Sequence, residues 1–311
     1  MTDNGPSRPT FGILHLGELG TALAKVLLAD EADVVTTLQN RSESTRRRCE
    51  ESQVVCLPTI EDVVQAADIV FSVVPTSVAG RVAKEYVACA AKRDKRAVYV
   101  DLNSVGPETV VDLEKAIVAT GHGFVDAAVH GLASNLSQGA VIYVSGSDSD
   151  YVAAQLPKSV RVRRIDGRAG SAATFKMLLA GLNKGLVAHF LELCLAAREA
   201  DLLSEFTERC YEYYPGVMDV TDRLLPTLRR HAKRRADEMN ELERTIELLG
   251  IRPGFAYEIR RCFERISDAS EFTNETNSSQ SSLLQALDWL ASADDQLEPT
   301  ISIKANDRHS Q

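Results

Sequence analysis

The first half of the chain alternates short β-branched runs with segments of helical period. Between residues 11 and about 165, six apolar runs predict strands: FGILHL, ADVVTTLQ, DIVFSVVP, AVYVDLN, FVDAAV and VIYVSG. Segments able to form helices separate the first five runs, for example SESTRRRCEES, TIEDVVQAA, SVAGRVAKEYVACAA and ETVVDLEKAIVATG. Strands that are joined by crossover helices form a parallel sheet. We therefore predict an α/β domain over residues 11–166, built on a doubly wound parallel sheet.

The pattern changes after residue 166. RAGSAATFKMLLAGLNKGLVAHFLELCLAAREA is apolar on nearly every face, which predicts one long helix buried between domains or subunits. Further helical patterns run from about 201 to 214, 218 to 249 and 255 to 268, and SLLQALDWLASA predicts another helix after the polar loop SDASEFTNETNSSQSS. We predict an all-α C-terminal domain over residues 167–293, with flexible segments at residues 1–10 and 294–311.

The turn after the first predicted strand, HLGELG, keeps two glycines of the dinucleotide fingerprint G-x-G-x-x-G. Gly17 would let the backbone approach a pyrophosphate, and Gly20 would let the helix pack closely on the strand. His15 stands where the first glycine is expected. This turn alone could equally be a plain strand-to-helix connection, but the flanking strand and helix favour a Rossmann-type dinucleotide site.

The second predicted strand ends at Gln39, and Asn40, Arg41 and Ser42 follow it. An NAD site usually has an Asp or Glu here that binds the ribose 2'-hydroxyl, yet no acid precedes Glu43. Arg41 offers a planar fork for a 2'-phosphate, and Asn40 and Ser42 offer hydrogen bonds. The sequence therefore favours NADP(H) over NAD(H). We interpret the next arginines, residues 46–48, as the solvated start of a helix.

Two later strands end in VVPTS and DLNSVGP. Ligands of open parallel sheets lie outside the carboxyl ends of the strands, which makes Val74, Pro75, Asn103 and Ser104 candidate site residues. His130, after the fifth strand, could be an acid, a hydrogen-bond donor or simply a loop histidine.

Lys176 lies alone in the first half of the apolar helix. Burial would lower the pKa of its ammonium group toward the range of a general base. Asn183 lies seven residues later and so on the same face. The alternative is a lysine that extends to solvent, and we favour the functional interpretation because buried lysines are rare.

Composition limits the partners. The chain has 35 Lys and Arg against 44 Asp and Glu, a formal charge of -9, which disfavours nucleic acids and anionic membranes. We interpret the basic stretch RRHAKRR as a solvated helix face and the six scattered cysteines as reduced core residues with no metal site. The polar N-terminus and the lack of an apolar run of membrane-spanning length predict a cytoplasmic protein.

Taken in order, HLGELG, NRS, VVP, DLNSVGP, FVDAAVHG and GRAGSAATFKM resemble motifs of the β-hydroxyacid dehydrogenase superfamily, which includes 6-phosphogluconate dehydrogenase and 3-hydroxyisobutyrate dehydrogenase. The resemblance covers about residues 11–265. AGLNKG and RRADEMNEL are most similar to a little-characterised branch with a 6-phosphogluconate-dehydrogenase-like helical C-terminal domain. The resemblance implies an NADP-dependent oxidoreductase that transfers a hydride between the nicotinamide and a small β-hydroxy acid or related carbonyl compound. It also implies a homodimer formed through the helical domain.

The resemblance also implies a role for each matching residue. The cofactor would contact Leu16, Gly17, Glu18, Leu19, Gly20, Asn40, Arg41, Ser42, Val74, Pro75 and Asn103. Catalysis would involve Lys176 as the general acid/base, together with Asn103 and His130. The substrate would contact Ser104, His130, Gly131, Leu132, Lys176 and Asn183.

Some positions depart from the family pattern. The family's Ser-Gly-Gly is His130-Gly131-Leu132 here, and Ala180 replaces an asparagine. Asn183 replaces the glutamate of 6-phosphogluconate dehydrogenase, so the second acid of oxidative decarboxylation is missing. Two alternatives stay open: an imine reductase of the same architecture, in which the lysine is usually replaced, or a non-catalytic NADP(H)-binding subunit, which His15, Leu132 and Ala180 would favour.

Overall fold

The structure of the protein, a computed structural model, describes residues 8–272 and 282–292. The strands are β1 (Phe11–Ile13), β2 (Val34–Thr37), β3 (Val55–Leu57), β4 (Ile69–Ser72), β5 (Val98–Asp101), β6 (Gly123–His130), β7 (Val141–Ser145) and β8 (Arg161–Arg164). The helices of the same region are α1 (Glu18–Ala29), α2 (Glu43–Ser52), α3 (Ile60–Ala66), α4 (Thr76–Ala90), α5 (Pro107–Val118) and α6 (Ser149–Gln155). The helices that follow are α7 (Ser171–Glu199), α8 (Leu203–Tyr213), α9 (Pro215–Leu224), α10 (Leu228–Leu248), α11 (Gly254–Phe272) and α12 (Leu283–Ser292). The predicted flexible tail and most of the predicted N-terminal segment lie outside the described residues.

The described strands form one sheet in the order β3-β2-β1-β4-β5-β6-β7-β8. All neighbouring strands are parallel except β6 and β7, which are antiparallel. The mostly parallel Rossmann-type sheet is confirmed, with all six predicted strands. The prediction was wrong about the direction of β7, which is antiparallel to β6, and it missed β3 and β8. Apolar side chains cover both faces of the sheet, with α1 and α6 on one face and α3, α4 and α5 on the other. This is the doubly wound arrangement.

The chain divides into two compact units, and the division falls inside α7: the first unit ends at Lys176 and the second begins at Met177. In the second unit, one apolar cluster joins α7 to each of the helices α8 to α12. The predicted helix over 218–249 is two helices, α9 and α10, because the Pro226 ring cannot continue the hydrogen-bonding pattern of α9. The all-helical C-terminal region is otherwise as predicted.

Buried charges distinguish the second unit from a plain apolar bundle. Arg235 is only 2% exposed, and its guanidinium donates to the Leu224 carbonyl oxygen and to Thr227 Oγ1. Burial lowers the pKa of Arg235 to about 10, with Arg234 acting in the same direction. Lys184 Nζ lies 2.6 Å from Glu238 Oε2. The interpretation of RRHAKRR as a solvated face was therefore wrong at its last arginine.

The long helix α7 also corrects a prediction from composition. Among the described helices, α7 is long and apolar enough to cross a membrane, by length and composition only. The core helix of a soluble protein meets the same criterion. The cytoplasmic location stays a prediction.

The prediction that all six cysteines are reduced was wrong for two of them. Cys49 on α2 and Cys56 on β3 form a disulfide. Cys89, Cys194, Cys210 and Cys262 are free thiols. Burial raises the pKa of Cys194 and Cys262 to about 12, which leaves both thiols in their unreactive protonated form at neutral pH.

Candidate functional site

Four buried polar side chains form a row across the middle of the sheet. Ser72 on β4 lies beside Asp101 on β5, Asp101 beside Asp126 on β6, and Asp126 beside Ser145 on β7. We call these four residues the polar row. Neither aspartate was predicted as a site residue, although each is a single acid inside an apolar run, AVYVDLN or FVDAAV. The row lies at the carboxyl ends of β4 and β5, where this fold binds its ligands.

Asp126 fixes the start of α7 to the sheet. Its Oδ2 accepts hydrogen bonds from the backbone N–H groups of Gly170 at 2.9 Å, Ala172 at 2.9 Å and Ala173 at 3.2 Å. The Ser145 hydroxyl donates to the same oxygen at 2.9 Å. Burial raises the pKa of Asp126, whereas these four bonds lower it. A carboxylate at a helix N-terminus satisfies otherwise unpaired N–H groups and complements the helix dipole.

Lys176 lies in the second turn of α7, and its Nζ donates to Ser104 Oγ at 2.7 Å. Ser104 is exposed in the loop between β5 and α5, and Lys176 is half-buried rather than fully buried. The charge of Lys176 also acts on Asp101 in the polar row. The structure therefore brings together two residues that were predicted separately, at the carboxyl end of β5.

Asn103 is held inside the sheet by every polar group of its amide. Its Oδ1 accepts from the Val74 N–H at 2.7 Å, while its Nδ2 donates to Ser72 Oγ at 3.0 Å and to Asp101 Oδ1. The side chain is 5% exposed. The side chain of Asn103 therefore holds the end of β4 against the end of β5, and its contact with nicotinamide or substrate stays a prediction.

Asp101 has unusual electrostatics for a carboxyl group. Burial and then the neighbouring Asp126 raise the pKa of Asp101 to about 7, while Asn103 and the charge of Lys176 lower it. Within the described residues, Asp101 Oδ2 is buried and makes no hydrogen bond. Asp101, on which the charge of Lys176 acts, is therefore a buried carboxyl group with a pKa near neutral pH.

The β1–α1 turn has the geometry that a pyrophosphate requires. A Cβ on Gly20 would lie 2.0 Å from the His15 carbonyl oxygen, so only glycine lets α1 approach the end of β1 this closely. Gly17 is the N-cap of α1, and no side chain from the described part of the chain caps it. Glu18 and Leu19 follow in the first turn. A helix start without a side-chain cap can bind an anion through its N–H groups, so this turn fits the pyrophosphate of a dinucleotide.

Two arginines from the β2–α2 region reach back to this turn. Arg41 donates to the Leu14 carbonyl oxygen at 2.8 Å, and Arg48 donates to the Leu16 carbonyl oxygen at 3.1 Å. The interpretation of Arg48 as a solvated helix residue was therefore wrong. Ser42 caps α2 by accepting from the Thr45 N–H, and Asn40 adopts a left-handed conformation with φ of 58°. Within the part of the chain that the structure describes, Arg41 is the predicted 2'-phosphate residue whose side chain hydrogen-bonds to the turn after β1.

The other predicted substrate residues are more scattered. His130 ends β6 and is exposed, and Leu132 is 60% exposed. Gly131 has φ of 117°, and a Cβ there would lie 2.9 Å from the Ala140 Cα, so this turn requires glycine. Asn183 belongs to the second unit and is half-buried. Pro75 is the N-cap of α4.

Two families match the chain. Residues 10–156 match the NAD binding domain of 6-phosphogluconate dehydrogenase. Residues 197–266 match a domain of unknown function, DUF1932. The first match covers the described strands from β1 to β7, and the second lies in the helical unit.

Individual proteins match different lengths of the chain. An uncharacterised 28.5 kDa protein from Methanothermus fervidus is 27% identical over 259 residues, 83% of this chain and 99% of the relative. The cytokine-like nuclear factor N-PAC of Drosophila melanogaster is 28% identical over 145 residues, which are 46% of this chain and 24% of N-PAC. The chain thus spans about a quarter of N-PAC and nearly all of the Methanothermus protein.

A solved structure extends the similarity to both units. The conserved protein MTH1747, described as of unknown function and structurally similar to 3-hydroxyacid dehydrogenases, has a TM-score of 0.70 at 26% identity. The match covers 89% of this chain and 99% of MTH1747. Together with the two family matches, this structure supports a β-hydroxyacid-dehydrogenase-like architecture, in which an NAD-binding domain with a mostly parallel sheet is followed by a helical C-terminal region.

Proposed function

We propose that the protein is an NADP-dependent dehydrogenase or reductase that acts on a small β-hydroxy acid or related carbonyl compound, with Lys176 as general acid/base. The observation that carries this proposal is the bond of 2.7 Å from Lys176 Nζ to Ser104 Oγ. This bond holds the Lys176 side-chain nitrogen outside the carboxyl end of β5 in an NAD-binding domain, where a general acid/base can exchange a proton with a substrate hydroxyl.

In the proposed reaction the cofactor transfers the hydride, and residues of the protein transfer the proton and hold the proton-transfer group in place. NADP(H), when bound, accepts or supplies the hydride. In the oxidative direction, the unprotonated Nζ of Lys176 takes the hydroxyl proton of the substrate as the alcohol carbon becomes a carbonyl carbon. Ser104 orients Nζ, while Asn103 and Asp126 fix the two chain segments that carry these side chains. Lys176 returns the proton when the reaction runs as a reduction.

The preference for NADP(H) rests on Arg41. Its side chain is half-buried at the end of β2, where no acid precedes Glu43 to bind a 2'-hydroxyl. Two charged residues on α4, Arg81 and Glu85, act on Arg41. They are hydrogen-bonded to each other, so their charges offset one another. A guanidinium in this place favours a phosphate group.

Cofactor titration tests this preference. We expect fluorescence titrations to show tighter binding of NADPH than of NADH, and Arg41→Ala to weaken NADPH by about 10- to 100-fold because charge-assisted hydrogen bonds are lost. NADH affinity should change by less than about twofold, since only the 2'-phosphate contact is removed. Arg47→Ala, an exposed arginine on α2, is the matched control. Equal weakening of both cofactors would contradict the NADP preference, and no binding of either would remove the enzyme proposal.

We also propose that the protein forms a homodimer through α7. Leu178, Leu182 and Leu193 lie on one face of this helix and are all exposed, with Leu182 at 61%. A helix that faces solvent normally presents polar residues there. A second copy of the same helix would cover this apolar face symmetrically.

A charge on the α7 face should separate the proposed dimer. We expect Leu182→Glu to give a monomer in sedimentation velocity experiments at micromolar concentration, because a carboxylate would have to be desolvated in the interface. Leu284→Glu on α12 is the matched control, since Leu284 has a similar exposure of 59%. A wild-type protein that sediments as a monomer at these concentrations would refute the dimer.

A non-catalytic NADP(H)-binding subunit is the second candidate. Exposed Leu132 stands where the family pattern has glycine, and the match to N-PAC covers only 46% of this chain. Imine reduction ranks behind both, because Lys176 is retained in contact with Ser104. Assay of the wild-type protein with hydroxy acids, carbonyl compounds and imines separates the three functions.

A further inference from the structure

Three nitrogen-bearing side chains converge on the β1–α1 turn: His15 from the turn itself, Arg41 from the β2–α2 loop and Arg48 from α2. We call them the turn cluster. The two arginines donate to the carbonyl oxygens of Leu14 and Leu16, the residues on either side of His15. The histidine is therefore flanked by two guanidinium groups, at the position where the dinucleotide fingerprint has its first glycine.

The His15 ring is placed at the mouth of the pyrophosphate turn. Its Cδ2 and Nε2 lie 3.2 Å from the position that a Cβ on Gly17 would occupy, so the ring packs on the N-cap of α1. Within the described residues, His15 Nδ1 and Arg41 Nε are buried atoms that make no hydrogen bond. Buried polar atoms are normally hydrogen-bonded, and these two unsatisfied nitrogens in one charged cluster favour a hydrogen-bonding group of a ligand at this site.

The charges around the turn cluster favour an anion as that acceptor. Burial lowers the pKa of His15, and the charges of Arg41 and Arg48 lower it further. On α4, Glu85 and Arg81 act on Arg41 and are bonded to each other. The acids in the first turns of α1 and α2, Glu18 and Glu43, are exposed. The cluster therefore has two positive charges beside a neutral imidazole, and a dianion would compensate them.

We propose that His15 and Arg48 are specificity-determining residues for the adenosine 2'-phosphate of NADP(H), and that His15 takes up a proton when this phosphate binds. The inference rests on the proposed use of NADP(H) and extends it to two residues outside the expected cofactor motif. A phosphate monoester is a dianion with several acceptor oxygens, and it matches two guanidinium groups and an imidazolium. NADH, which has a hydroxyl at the same position, would leave His15 neutral.

The sign of the pH dependence follows from the two states of His15. In the free protein the pKa of His15 lies below its ordinary value of 6.5, so the ring is neutral at pH 8 and at pH 7. A bound dianion raises this pKa, because it stabilises the imidazolium. Between the two pKa values, binding consumes a proton and NADPH affinity increases as the pH falls. NADH affinity lacks this dependence.

The test measures dissociation constants by fluorescence for NADPH and NADH at pH 8 and pH 6, in the wild type and in His15→Gln. Glutamine keeps hydrogen-bonding groups and cannot be protonated. We expect the ratio of NADH to NADPH dissociation constants to increase about threefold to tenfold on acidification in the wild type, and this increase to be absent in His15→Gln. The 2'-phosphate itself titrates near pH 6, but it does so equally in both proteins, so their difference isolates the histidine.

Two further measurements separate the possible failures. Calorimetry in buffers of different ionisation enthalpy should show proton uptake on NADPH binding by the wild type, which tests the idea even if His15→Gln does not fold. Arg48→Ala should lower NADPH affinity about tenfold and leave NADH affinity unchanged, with Arg47→Ala as control. If His15→Gln weakened NADPH binding and NADH binding equally, His15 would act on the pyrophosphate or on the turn alone, and the inference would be overturned. Wild-type preference for NADPH without proton uptake would overturn only the role of His15, whereas no preference at any pH would refute the NADP proposal itself.

Discussion

Lys176→Met is expected to abolish detectable turnover and to leave NADPH affinity within about twofold of the wild type. Methionine has a similar length and cannot accept a proton, so the variant removes the general base, a group that contributes about 10²- to 10⁴-fold to rate. Cofactor affinity should persist because Lys176 bonds to Ser104, whereas Arg41 bonds to the Leu14 carbonyl oxygen at the β1–α1 turn. Turnover is followed by NADPH absorbance over a panel of β-hydroxy acids, carbonyl compounds and imines, and affinity by fluorescence.

Each outcome of this experiment assigns the lysine differently. Lys115→Met, which changes an exposed lysine on α5, should retain full turnover and serves as the control. Preserved turnover in Lys176→Met would remove the lysine from the mechanism. Turnover of imines alone by the wild type would favour the reductase, whereas tight NADPH binding without any turnover would favour the non-catalytic subunit.

The elements of the sheet that the sequence predicted are those whose burial leaves a signal. The strands from β4 to β6 are apolar runs because both faces of the sheet are covered by helices. β3 and β8 lack that signal, since one has three residues with mostly exposed side chains and the other is the basic run Arg161–Arg164. The direction of β7 is not encoded in its side chains. It follows from the connection over residues 131–140, which is too short for a crossover helix.

The candidate site could be predicted where local features of the sequence mark its residues, and not where a residue's role depends on long-range strand register. Lys176 and Ser104 were recognisable because a lone lysine in an apolar helix and a strand end are local features of sequence. Asp126 was not recognisable, because one acid in an apolar run acquires a role only when the strand register places it under α7. Arg48 is similar, since its bond to Leu16 depends on where α2 packs relative to β1.

Asp126→Ala is expected to lower the free energy of unfolding by about 2–4 kcal/mol, measured as a lower denaturant midpoint. The substitution leaves three backbone N–H groups at the start of α7 and the Ser145 hydroxyl without their shared acceptor in a buried place. Asp126→Asn keeps one acceptor oxygen and should lose less. Asp150→Ala removes an exposed carboxylate on α6 and should leave the midpoint nearly unchanged.

Substitutions of Asp126 also distinguish its effect on stability from its effect on the position of Lys176. Since Asp126 holds the helix that carries Lys176, turnover of Asp126→Asn should fall while NADPH affinity stays close to that of the wild type. A normal denaturant midpoint in Asp126→Ala would mean that packing of Ala169 and Ala173 alone fixes the start of α7. If stability falls but turnover per folded molecule does not, Lys176 tolerates movement of its helix. The bond to Ser104 would then be what holds the amine in place.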